Sequence, residues 1–175
     1  MRSALDTLYR VAGALAALLL VLICALITAQ VVLNTLSKLG IVNLTIPSYA
    51  DFSGFMLSAS TFLALAYTLR HGGHIRVTLV EQRLPSAVQR WTRAIAAAAG
   101  VFVAGGATVF AARLCWQSYD FGDKSSGMIP VQIWIPQAAM ILGLAIFTLA
   151  LIDELLHVLR TGHFSFEKEE DGRDV

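Results

Sequence analysis

VAGALAALLLVLICALITAQVVL, residues 11–33, carries no charged side chain. A helix crossing the roughly 30 Å hydrocarbon core of a bilayer needs about 20 mostly apolar residues. This stretch is long enough, and three comparable runs follow it. Residues 52–69 form the second. Residues 94–112 form the third, which continues past Arg113 to about Tyr119, and residues 129–152 form the fourth. A soluble four-helix bundle shows polar stripes at helical spacing, whereas these runs are apolar all round. The expected fold class is therefore all-α and integral to the membrane, with four transmembrane helices. They are expected at about 11–35, 50–69, 86–119 and 129–159, in a membrane domain over 1–163. Residues 164–175 then form an acidic cytoplasmic tail.

The composition agrees. Hydrophobic residues make up 57% of the 175-residue chain, against roughly 45–50% in soluble domains. Mean hydropathy is +0.68. A net charge of +1 supplies no positive field for nucleic acid, so no such partner is expected. Only Cys24 and Cys115 are present, too few for a disulfide framework or a cysteine-rich metal site. The first run exceeds the usual apolar core of a secretory signal, about 7–15 residues, and is expected to stay as an anchor.

Lysine and arginine set the orientation. One set of flanks holds Arg2, Arg10, Arg70, Arg76, Arg83, Arg90, Arg93, Arg160, Lys168 and Arg173. The other holds Lys38 and Lys124. By the positive-inside rule, both termini and the 70–93 connection are cytoplasmic. The loops at 36–49 and 119–128 face outward.

The 70–85 stretch, RHGGHIRVTLVEQRLP, has a shape of its own. Residues 74–84 are too short and too charged to span. As a helix they would lie in the interface, with Ile75, Leu79, Val80 and Leu84 in acyl chains and Arg76 and Arg83 at phosphates. The alternation Ile75-Arg76-Val77-Thr78-Leu79 also fits a strand, but an open strand edge is costly near hydrocarbon. A solvated loop with topogenic charges is the plainer alternative.

Small residues mark packing faces. In the third helix Ala96, Gly100, Ala104, Thr108 and Ala112 recur every four residues. Gly54, Ser58 and Thr61 do much the same in the second, and Ala139 and Gly143 in the fourth. Such spacing lets helix backbones approach closely. Helix packing is thus expected at Gly54, Ser58, Gly100, Ala104, Thr108 and Gly143.

No catalytic constellation emerges, and the chain reads as a non-enzyme. Haem ligation would need paired histidines inside helices, yet His71, His74, His157 and His163 lie at membrane edges or outside. Gly72 and Gly73 separate His71 from His74 and argue against a rigid metal-binding pair. Cys24 and Cys115 fall at different depths. Buried ionisable groups in membranes mark pathways or polar contacts, but Asp51, Arg113, Asp153 and Glu154 all lie near helix ends. Arg113 either reaches outer phosphates or pairs with Asp51 in the same leaflet.

These residues resemble the small membrane subunit of tripartite ATP-independent periplasmic (TRAP) transporters. The resemblance rests on Tyr49-Ala50-Asp51-Phe52 opening helix 2, on Gly73-His74-Ile75-Arg76-Val77 after it, and on Arg83-Leu84-Pro85. It continues through Trp116, Ser125-Ser126-Gly127-Met128-Ile129-Pro130 and Trp134. The chain departs from the pattern at Tyr49, Asp51 and Thr78, where Trp or Phe, Glu and Asp are the more usual residues.

The resemblance implies a multi-pass protein of the bacterial inner membrane. It implies an accessory scaffold for a large elevator-type subunit of a sodium-coupled organic-acid transporter. The expected partners are that multi-spanning subunit, a periplasmic substrate-binding protein docking on the outer face, and phospholipid. No cofactor is expected in this chain, since sodium sites belong to the large subunit. Interface or lipid contacts are expected at Asp51, Arg70, His74, Arg76, Arg83, Arg113, Trp116 and Trp134. Two other classes fit the composition: a membrane anchor of a respiratory or redox enzyme complex, and a small self-sufficient transporter. The second lacks the mid-membrane acid it would need.

Overall fold

In the computed structural model, residues 2–41, 44–72 and 85–161 are described. The interfacial segment expected at 74–84, with His74, Arg76 and Arg83, lies outside them, as does the tail at 164–175. Among the described residues, four helices are long and apolar enough to cross a membrane. They are α1 (Arg2–Lys38), α2 (Tyr49–Arg70), α3 (Ser86–Asp120) and α4 (Trp134–Thr161). In hydrocarbon every backbone N–H and C=O must find a partner within the segment, and the helix provides it.

The helix ends follow local chemistry. Gly40 and Gly122 take left-handed φ angles of 72° and 66° just after α1 and α3. Ile41 N–H then reaches back to the Leu36 carbonyl, and Asp123 N–H to that of Ser118. This closes the last turn with the geometry that favours glycine. α4 begins at Trp134, later than the sequence suggests. Residues before it form a short hairpin instead: Lys124 bridges Gln132, and Ser125 N–H donates to the Val131 carbonyl at 2.8 Å. Pro136 falls in the first turn of α4, where its missing N–H costs no helical bond.

The substantial helix contacts among the described residues are α1 with α2, α2 with α4, and α4 with α3. The helices therefore stand in a row, α1–α2–α4–α3, and do not close into a four-sided bundle. Tyr9, Ala12 and Ala16 of α1, Leu63 and Ala66 of α2, and Ile146 and Ala150 of α4 form the buried cluster. The flanks of the row stay apolar and open, as at Val21 on α1 and Phe102 and Phe110 on α3. With 37 residues at 1.5 Å each, α1 is about 55 Å long and overshoots the hydrocarbon core.

Candidate functional site

Two polar clusters lie at opposite ends of the helices. At one end the last turn of α2 aims Arg70 between α1 and α4. Its Nη2 donates to Asp6 at 2.7 Å, and Nη1 lies 3.5 Å from Asp153 and 4.0 Å from Glu154. The guanidinium also stands 6.0 Å from the centre of the Tyr9 ring. Asp6 is half open to its surroundings, whereas Glu154 and Tyr9 are buried. One cation thus gathers acids from two other helices. Arginine suits this task because its fork offers several fixed donors at once. On the far side of α4, Arg90 Nη2 donates to the Leu159 carbonyl at 2.6 Å. It satisfies one of the carbonyls that a helix C-terminus leaves open.

Between the ends the helices cross on small residues. A β-carbon on Gly143 would lie 2.5 Å from the Phe62 carbonyl carbon, so α4 and α2 touch backbone to backbone there. Gly13 of α1 makes a close contact of another kind, with the Tyr67 side chain of α2, whose ring lies where a β-carbon would stand. Buried Ser60 donates to the Ala16 carbonyl at 2.9 Å and ties α2 to α1. On α3, Gly100 faces Leu151, Ala104 is buried, and Thr108 Oγ1 lies 3.2 Å from Thr148 Oγ1.

At the other end the 123–133 hairpin folds onto the start of α2. Ile129 N–H donates to Ser48 Oγ at 2.9 Å. Gly127 sits so close to the Asp51 carboxylate and Ser48 Oγ that a side chain there would collide with both. Ser48 holds a left-handed φ of 56°, and its hydroxyl makes no capping bond to its own helix. Gln30 Oε1 accepts from Ile46 N–H at 2.9 Å, which pins the incoming loop to α1. Trp134 Nε1 donates to Gln132 at 2.7 Å, and its ring meets Tyr119 edge-on.

The structure places the sequence-derived residues unevenly. Gly100, Ala104, Thr108 and Gly143 lie on helix contacts. Ser58 is half-buried, and Gly54 is exposed, with open space where a β-carbon would stand. Trp116 is exposed beside Tyr119. Asp51 turns to the hairpin, while Arg113 is exposed and makes no ion pair with a described residue. The pairing of Asp51 with Arg113 is therefore not made. The physical reason is the helix order, which sets α4 between α2 and α3.

Other residues were missed. Asp6 and Tyr9 precede the apolar run, and only the upstream extension of α1 brings them to Arg70. Gly13 and Gln30 were readable. Ala12, Gly13 and Ala16 are small residues at close-packing spacing, and Gln30 is the lone amide inside an apolar run.

Long apolar helices joined by polar clasps at both ends define a multi-pass membrane subunit built around helix–helix contacts. A family model described as "Tripartite ATP-independent periplasmic transporters, DctQ component" matches residues 23–161. The chain belongs to this family and is the small membrane component of a three-part transporter. No curated protein and no solved structure matches it.

Proposed function

We propose that this chain is the static membrane buttress of a sodium-coupled, binding-protein-dependent organic-acid transporter. It sits in a bacterial inner membrane with both termini cytoplasmic. The observation that carries this reading is the braced row. Three helices are fastened by Arg70 at one end, and the α3–α4 hairpin is fastened to α2 at the other. Such double fastening suits a part that stays still while another subunit moves. The open apolar flanks of α1 and α3 supply area for lipid and for a large multi-spanning partner. The hairpin end, on the side of the chain poor in lysine and arginine, faces the periplasm, where a substrate-binding protein docks. Sodium and substrate sites belong to the large partner.

Reconstitution tests this. The chain with its large partner and binding protein should take up organic acid on a sodium gradient, and omission of this chain should abolish uptake. Sodium-driven uptake by the purified chain alone would overturn the accessory role. Reporter fusions at Asp123 should read outside, and fusions at Gly72 and Thr161 inside.

A further inference from the structure

We propose that the groove between the start of α3 and the end of α4 seats one anionic phospholipid. The groove, about 330 Å³, is lined by Arg90, Trp91, Ala94 and Leu159. Arg90 and Leu159 lie in the terminal turns of their spans, and the ends of a spanning helix reach the headgroup region of a bilayer. The Arg90 guanidinium is held in place by its bond to the Leu159 carbonyl, which uses one of its five N–H donors. A lipid phosphate is the group that complements a fixed cation at this depth, and basic pockets between spanning helices bind such headgroups.

The apolar part of the ligand is provided for as well. From Leu159 an exposed stripe runs along α4 through Leu156, Ile152 and Leu149, at heptad-like spacing toward the bilayer centre. From Trp91 a second exposed stripe runs along α3 through Ile95 and Phe102. A chain of methylenes can lie between them. Trp91 is 70% exposed and amphipathic, as interfacial tryptophans are. A free phosphate would meet the arginine but leave these walls uncovered, so the occupant is a lipid.

The full chain carrying Trp116→Phe and Trp134→Phe keeps Trp91 as its one tryptophan, excited apart from the tyrosines at the red edge of the absorption band. It is placed in phosphatidylcholine nanodiscs doped with brominated phosphatidylglycerol or, at equal mole fraction, brominated phosphatidylcholine. Trp91 quenching should show a roughly fivefold preference for phosphatidylglycerol, the scale set by one basic side chain at an anionic surface. Arg90→Gln should remove the preference and Arg90→Lys should keep most of it. Equal quenching by both lipids, or a preference that survives Arg90→Gln, would overturn the proposal. So would loss of the preference in inorganic phosphate at constant ionic strength, which marks a free-anion site. Quenching by neither lipid means that protein covers the groove and equally rejects a lipid. None of these outcomes depends on transport, so the site stands or falls apart from the buttress role.

Discussion

Gly143 of α4 presses on the backbone of α2 at Phe62: a β-carbon added to Gly143 would lie 2.5 Å from the Phe62 carbonyl carbon and 2.7 Å from Leu63 N. Backbone cannot swing aside as a side chain can. Gly143→Ala must therefore push the two helices apart, at a cost of about 1–3 kcal/mol as in overpacked cores. Gly54→Ala is the control, since a β-carbon there meets open space. Thermal unfolding in detergent should show a lowered midpoint for Gly143→Ala and none for Gly54→Ala. Equal midpoints for the two variants would contradict the crossing.

The Arg70 cluster predicts an order among its members. Asp6 is the nearest acid at 2.7 Å, but its side chain is 42% exposed. Exposed pairs are worth roughly 0–1 kcal/mol, so Asp6→Ala should do little. Glu154 lies farther off, at 4.0 Å, but its side chain is only 2% exposed. Arg70→Ala takes the guanidinium from that enclosed carboxylate. We expect a loss on the order of 2–3 kcal/mol, below the ~3–5 kcal/mol of a fully enclosed pair. Adding Glu154→Gln to Arg70→Ala should recover part of the loss. If Asp6→Ala proves the more damaging change, burial is not what gives this cluster its weight.

Much of the architecture was legible because a bilayer imposes length. Four uncharged or nearly uncharged runs allow few other structures. Neighbour order was not legible, since a helix that is apolar all round points no stripe at a partner. The small-residue rule found Gly143 and the centre of α3 but misjudged the ends of that face. Steps of four residues drift about 40° each against a 3.6-residue turn. Ala96 and Ala112 accordingly fall on the exposed side, while Ala94 and Ala97 are buried. The Arg70 cluster escaped notice because its acids come from α1 and α4, far apart in sequence. Their meeting depends on the helix order that periodicity could not supply.

Ser48 makes a further test possible at the hairpin. Its Oγ accepts the Ile129 N–H at 2.9 Å, while its backbone holds a φ of 56° that non-glycine residues rarely adopt. Ser48→Ala removes the acceptor and keeps the strained backbone, which should cost about 0.5–1.5 kcal/mol. Ser48→Gly removes the same acceptor but relaxes the backbone, so it should cost less. Proteolytic nicking of the 123–133 loop would follow the same order. Greater damage from glycine than from alanine would mean that the hydroxyl and the backbone angle are not the controlling features.

Asp51 and Arg113 provide the last comparison. The sequence sets both near the outer surface, and an ion pair between them would tie α2 to α3. In the structure the Asp51 carboxylate packs on Gly127 of the hairpin, and Arg113 lies exposed on α3. α4 stands between the two helices. Two groups without a shared partner contribute independently to stability, within roughly 0.3–0.5 kcal/mol. Asp51→Ala should loosen the hairpin and Arg113→Ala should weaken contact with lipid phosphates or the partner subunit. In the double variant the two losses should add, whether read as unfolding midpoint or as yield of intact complex. A double variant no worse than the more damaging single change would show that the residues meet after all. That result would require α2 and α3 to approach in the assembled transporter, a rearrangement of the row that would also sink the static-buttress reading.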